Sequence, residues 1–311
     1  MFRLGYNTNG LAHHRPVDAL RLVADLGYEA LALTPDAGCL DPYDLRENEV
    51  EDLRRWAEDL GLSLVVETGS RFLLDAARKH HPTLLEDDPA ERRRRLDFLQ
   101  RCGDLAAALD SGVLSIWSGA APSEVVADWP PWERSAAGAT EAVGERAGVR
   151  GASALREESW ERLCEGVEAL LLYLDGTGVD LALEPEPGMF LATPDGYGEL
   201  LRRLGSTGDR LGLTLDVGHC LVTGEDVPAT IRRWAPRLVN VHLDDIAGGV
   251  HDHRMFGQGD LDLPATLRAL VEVGFGDVAS VELSRDSHRG PQAAREAMGH
   301  LRRALGAATP G

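Results

Sequence analysis

Four short stretches of this chain each carry a residue able to bind a metal or move a proton. They are LALEPEP with Glu184 and Glu186, LTLDVGH with Asp216 and His219, VNVHLDD with His242, Asp244 and Asp245, and SVELS with Glu282. In each, a run of aliphatic residues leads straight into the polar one. Burying carboxylates together costs about several kcal/mol each by desolvation, and like-charge repulsion adds to it. No lysine stands on these stretches, so a divalent cation is the simplest counter-charge. A Glu, Asp, His, Glu set offers oxygen and nitrogen ligands suited to Mn²⁺, Co²⁺, Mg²⁺, Fe²⁺ or Zn²⁺. The lack of sulfur argues against a structural zinc. Taken singly, each residue has a plainer role. Glu184 could cap a helix, Asp216 could be the N-cap of HCLVTG, His242 could be a satisfied core histidine, and Glu282 could pair with Arg285 or Arg289. Their recurrence at four successive strand ends favours the metal.

The elements that must position these residues are short β-like runs alternating with amphipathic helical patterns. Strands are expected at 2–7, 29–35, 63–69, 113–119, 180–186, 211–218, 238–245 and 278–284. Their Leu, Val, Ile and Ala content suits strands covered on both faces. Between them, PVDALRLVADLG has proline in its first turn and glycine at its stop, and DLG, DLG and EVG recur just before strands two, three and eight. Eight such pairs define an α/β chain folded as a (β/α)8 TIM barrel, with 1–311 as a single domain. A doubly wound open sheet would carry a GxGxxG loop after strand one, whereas the chain has GYNTNGLAHH. In a barrel the strand C-termini build the active site. The long connection 120–158 follows strand four. It is read as a solvated insertion or as a lid, because Trp129 and Trp132 flank Pro130-Pro131.

Taken in order, the motifs resemble the sugar phosphate isomerase/epimerase superfamily, the xylose isomerase-like TIM barrels. That superfamily includes ketose 3-epimerases, inosose dehydratases and hydroxypyruvate isomerase, and is related to endonuclease IV. The resemblance covers about residues 180–305 and adds HRMFGQGDLDL, with Arg254, Gly257 and Gly259, to the stretches above. The first half shares only the βα rhythm. The resemblance implies one divalent ion held by Glu184, Asp216, His242 and Glu282. Glu184 and Glu282 would also act as the acid/base pair, and His219 and Arg254 would contact substrate oxygens. Glu186 and Asp245 are expected as further substrate contacts. The implied reaction is isomerisation or epimerisation of a sugar or sugar-like polyol by proton transfer through a metal-bound enediolate; loss of water is a variant sharing the first step.

One departure stands out. The run IAGGVHDHRMF supplies His251, Asp252 and His253 beside the metal ligands. Endonuclease IV has Asp-x-His at the matching place, binding an extra zinc, and its residue matching His219 is a zinc ligand. By that resemblance His219, His251 and His253 could hold a second metal, and a di- or trinuclear hydrolase or oxidase is the alternative function. Otherwise these histidines bind substrate hydroxyls or line a loop. DNA repair is not expected, because LTPDAG and VETGSRF end strands two and three without histidine.

The first half has its own polar cluster. Asn7, Asn9, His13 and His14 follow strand one, Glu67 and Arg71 follow strand three, and Lys79, His80 and His81 come next. Lying on the loop side of a barrel, this cluster either recognises sugar hydroxyls or a phosphate or is a solvated loop; Glu67, Arg71, Lys79 and His80, with Trp117 at the end of strand four, are its substrate-binding candidates.

The 32 basic and 51 acidic residues leave a net charge of −19. Such a chain repels nucleic acid and anionic membrane. The four cysteines, Cys39, Cys102, Cys164 and Cys220, show no CxxC spacing and read as free thiols of a cytoplasmic protein. No signal peptide and no apolar run of membrane length is seen. The expected partner is a small sugar or polyol, with homodimerisation left open.

Overall fold

The computed structural model describes residues 2–120 and 152–308. Of the 120–158 connection expected as a solvated insertion or a lid, residues 121–151 therefore lie outside the described residues, and 152–158 belong to the helix Ala152–Tyr173 and not to a loop. Eight parallel strands close into a barrel: β1 (Arg3–Asn7), β2 (Ala30–Leu33), β3 (Ser63–Glu67), β4 (Val113–Trp117), β5 (Asp180–Glu184), β6 (Gly212–Asp216), β7 (Leu238–Leu243) and β10 (Val278–Val281). They run β1-β10-β7-β6-β5-β4-β3-β2 around the barrel. Each expected strand is present, and all but β1 are shortened at the polar end. Residues such as Gly69, Gly119 and Gly218 leave the ladder to start loops or a helix.

Outer helices are α1 (Pro16–Leu26), α2 (Glu47–Leu60), α3 (Pro89–Ala108), α4 (Ala152–Tyr173), α5 (Pro194–Leu204), α6 (Val217–Thr223), α7 (Val227–Trp234), α8 (Leu263–Glu272) and α9 (Gly290–Ala308). The DLG signals are helix stops. Gly27 and Gly61 cap α1 and α2 at φ +87° and +68°, a left-handed conformation that a side chain disfavours. The short helix α6 grows directly from the end of β6 with Asp216 as its N-cap, the plainer of the two roles open to that residue. One feature is not expected from the sequence. IAGGVHDHR forms an antiparallel hairpin, β8 (Asp245–Ala247) and β9 (Val250–Arg254), turning at Gly248-Gly249.

Side chains alternate in and out along each strand, and this period explains the site. Outward residues such as Leu31, Leu114, Leu183, Leu213, Val241 and Ala279 join the main core beneath the helices. Inward residues fill the barrel with small groups: Ala30, Ala32, Val65, Val113, Ala182 and Val278 form one cluster. Ser115 and Thr214 share a buried hydrogen bond of 2.8 Å. The bore is tight enough that a Cβ on Gly5 would stand 2.5 Å from Ser280 Oγ. Two residues further along each strand, the same inward face carries Glu67, Trp117, Glu184, Asp216, His242 and Glu282. The polar ring is thus the uppermost layer of the barrel interior.

Candidate metal centre and active site

Glu184, Asp216, His242 and Glu282 bring one ligand atom each to within 4.8 Å of one another. Each of the four has one atom tied outward and another turned to the shared centre. Glu184 Oε2 accepts from Trp117 Nε1 at 2.7 Å. Asp216 Oδ1 accepts from the His219 amide at 2.8 Å, capping α6. Glu282 Oε1 accepts from Asn9 Nδ2 at 2.6 Å. His242 Nε2–H donates to Glu67 Oε1 at 2.6 Å, since a carboxylate can only accept. That leaves His242 Nδ1 3.0 Å from Glu184 Oε1, 2.9 Å from Glu282 Oε2 and 3.8 Å from Asp216 Oδ2. Glu67 is itself held by Asn240 Nδ2 at 3.1 Å and by Asn7 Nδ2.

The electrostatics call for a cation. Burial pushes the Glu184 carboxyl up against the pull of His242, and burial with the neighbouring Asp244 pushes Asp216 well up. Burial would lower His242, yet Glu67, Glu184 and Glu282 hold its imidazolium well above the usual range. Three carboxylates thus crowd one imidazole, more negative charge than that ring alone can balance. Asp216 Oδ2 is buried with no hydrogen-bond partner among the described residues. An orphaned buried carboxylate oxygen, two glutamates and an imidazole nitrogen fit a divalent ion.

A second cluster adjoins the first. His219 Nε2 and His253 Nε2 each lie 2.9 Å from His251 Nε2. His219 Nδ1–H donates to the Pro185 carbonyl at 3.0 Å, and His253 Nδ1 pairs with Asp244 Oδ2 at 2.8 Å. The latter contact is short but bent, so neither group gains an aligned partner. Both contacts turn the Nε2 atoms to a common point, in the way outer carboxylates and carbonyls orient metal-bound imidazoles. Burial, then the neighbouring imidazoles, push His219 well down, and burial with His253 pushes His251 down to about 3. Burial would lower His253 too, but Asp244 raises it to about 10. Asp216 stands between the clusters, its Oδ2 3.7 Å from His219 Nε2.

A cavity of about 130 Å³ opens onto both clusters. Glu67, Arg71, Lys79, His80, Trp117, Glu184, Glu186, His219, His242, His253 and Glu282 line it. Glu186 is raised to about 8 by burial and then by Glu184. Asp245 and Arg254 are not among the lining residues. The Asp245 carboxylate accepts from the amides of Gly257, Gly259, Leu261 and Ile246 at 2.8–3.0 Å. It thereby folds the GQGD loop, and Arg254 pairs with Asp252 at 2.8 Å. Arg289 pairs with Asp286 and Glu296 and leaves Glu282 to the ring.

Asn9, expected in the polar cluster for substrate hydroxyls or a phosphate, instead holds Glu282, and Asn240 and Asp244 are site residues with no role expected from the sequence. Asn240 was legible as the inward residue two before His242. Asp244 carried no sequence signal of its own; its packing against Gly218, where a Cβ would stand 2.3 Å from its Oδ1, appears only in the fold.

Residues 20–304 match the family described as xylose isomerase-like TIM barrel, so the chain belongs to that family. It is 30% identical over 174 residues to the rhizopine catabolism protein MocC of Rhizobium meliloti, covering 50% of this chain and 53% of that protein. The chain thus spans about half the length of this relative. Fructoselysine 3-epimerase of Escherichia coli O157:H7 is 22% identical over 288 residues, 91% of this chain and 89% of that one. The crystal structure of the IOLI protein with a bound zinc atom superposes with a TM-score of 0.71 at 19% identity, over all of both chains. That likeness is one of fold.

Proposed function

We propose that this protein is a divalent-metal-dependent isomerase or epimerase acting on a sugar or sugar-like polyol. The observation carrying this reading is the pair Glu184 and Glu282, set at 3.0 and 2.9 Å from one imidazole nitrogen and facing one cavity. The epimerase named above supports it. Glu184, Asp216, His242 and Glu282 would hold the ion. A bound divalent ion supplies Lewis acidity, withdrawing charge from a substrate oxygen so that the neighbouring carbon gives up its proton more easily.

The chain's own residues do the rest. One glutamate takes the proton from carbon and the other returns it. Trp117 and Asn9 each occupy one oxygen of those glutamates, so both carboxylates are held in place before substrate arrives. Glu67 fixes the His242 ring. Glu186, held largely protonated at neutral pH, can donate to a substrate oxygen. Return of the proton to the same carbon gives an epimer, and return to its neighbour, with a proton passing from the hydroxyl oxygen to the former carbonyl oxygen, gives an isomer. Departure of an adjacent hydroxyl gives a dehydratase.

The test is exchange in D₂O. The Mn²⁺-loaded protein should place solvent deuterium on a carbon of a ketose or inosose substrate, seen by NMR, and E184Q or E282Q should abolish it. Absence of exchange across such a panel would reject the proposal.

The three converging Nε2 atoms favour a second reading, a second ion held by His219, His251 and His253 and a hydrolase or oxidase on the same scaffold. Release of phosphate or uptake of oxygen in place of deuterium exchange would establish it. We further assign the protein to the cytoplasm, on its four free thiols. Among the described residues no helix is long and apolar enough to cross a membrane.

A further inference from the structure

The cavity has two chemically different walls. One is the ring of carboxylates and imidazoles. The other is the segment after β3, which brings Arg71, Lys79 and His80 to the same space. In a chain of net charge −19, its only lysine stands here. Lys79 is exposed and makes no salt bridge among the described residues; a carboxyl that feels its charge is Glu186, which burial and Glu184 push up to about 8. Arg71 shares its charge with Asp36 at 3.1 Å. Behind them Arg95 of α3 is 3% exposed, and its guanidinium meets only neutral acceptors, Ser70 Oγ at 2.7 Å and the Thr68 carbonyl at 3.2 Å. Lys79 and Arg71 thus reach the cavity with Asp36 as their one salt-bridge partner, and Arg95 adds a guanidinium without a carboxylate behind them.

The segment is also held in a strained form. Ser70, Arg71 and His80 have φ of +46°, +33° and +66°, the left-handed region that side chains disfavour. Such strain persists where surroundings over-determine it, commonly at ligand sites. Here the Arg71 carbonyl accepts the His80 amide, His80 Nδ1 donates to the Gly69 carbonyl, and Arg95 ties down Ser70. Trp117 joins the walls. Its Nε1–H reaches Glu184, and its ring meets that of His80 edge to face at 4.8 Å. A group at Lys79 therefore sits in fixed register with the reacting end of the cavity. A neutral polyol has no use for an unpaired ammonium and a guanidinium, whereas a phosphate or carboxylate pairs with both.

We propose that the substrate is an anionic polyol, its phosphate or carboxylate gripped by Lys79 and Arg71 while its hydroxyl-bearing carbons face the Glu184–Glu282 ring. This rests on the proton-transfer reading above for which end reacts.

The test is calorimetry on the full, Mn²⁺-loaded chain at low ionic strength, with three unreactive probes: D-sorbitol, D-sorbitol 6-phosphate and D-gluconate. At least one anion should bind tenfold or more tightly than sorbitol, and added NaCl should erode the difference. Preference for the phosphate identifies a sugar phosphate, and preference for gluconate a sugar acid. K79M should bring the favoured anion to within threefold of sorbitol without weakening sorbitol itself, and K79R should keep most of the preference. Lys79 is exposed, so neither change threatens the fold. Equal affinities, no binding by either anion, or equal loss of all three probes in K79M would overturn the proposal. An anion preference without deuterium exchange would sink the proton-transfer reading alone. Exchange on neutral ketoses with no anion preference would sink only the present one.

Discussion

Glu67 on β3 and His242 on β7 share a hydrogen bond of 2.6 Å, and it fixes which imidazole nitrogen faces the carboxylates. With Nε2–H committed to Glu67, Nδ1 alone is left for Glu184, Asp216 and Glu282. E67Q replaces a charged acceptor with a neutral amide that can also present its NH₂. Outer partners of this kind commonly contribute about 10- to 100-fold in metal affinity. Mn²⁺ titration of E67Q should show a loss of about that size. An unchanged affinity would mean that Glu67 does not orient the ring.

The histidine cluster makes a prediction about protons. His253 is raised to about 10, with burial opposing and Asp244 prevailing, whereas His251 sits at about 3. At pH 7, therefore, His253 carries a proton that an ion must displace, while His251 is already neutral. Metal binding there should release about one proton per ion, and affinity should rise about tenfold per pH unit up to about pH 10. Titrations at one pH in buffers of different ionisation enthalpy will count the proton. D244N removes the raising charge, so the release at pH 7 should fall well below one.

Gly218 is fixed by its neighbour. A Cβ there would lie 2.3 and 2.5 Å from the two oxygens of Asp244. G218A should cost about 1–3 kcal/mol in denaturant unfolding, the range of overpacked interiors. It should also shift Asp244 away from His253 and lower metal retention at the histidine cluster. A neutral substitution would contradict this packing.

The cysteines should be inert in the native protein. Burial pushes Cys39 and Cys164 up to about 11, and Cys102 and Cys220 are fully buried. Thiolates, not thiols, are the reactive species. Iodoacetamide at pH 7.5 should label few or none natively and all four after denaturation. Rapid native labelling of any one would contradict the burial.

Much of this was legible in the sequence for a simple reason. A buried parallel strand is written in Leu, Val, Ile and Ala, so Glu184, Asp216, His242 and Glu282 stand out at its end. The two-residue period then places each inward. The roles of Asp245 and Arg254 were not legible. Sequence put them beside the ligands, but a carboxylate that gathers four loop amides and one that faces a substrate look alike in one dimension. The β8–β9 hairpin was obscured by its Gly-Gly and its mostly polar strand, which carry no alternating apolar pattern. Yet that hairpin is what sets His251 and His253 against His219. Asp216 was read as either an N-cap or a metal ligand. Its two oxygens divide the tasks: one caps α6 and the other faces both clusters.

The most direct measurement is equilibrium dialysis of the chelator-stripped full chain against Mn²⁺, with bound metal counted by plasma mass spectrometry, for the wild type and H242Q. The wild type should retain at least one tightly bound ion per chain, and H242Q should lose that ion while keeping its fold by circular dichroism. A wild type that retains none, or an H242Q variant that binds as well, would contradict a metal centre at Glu184, Asp216, His242 and Glu282.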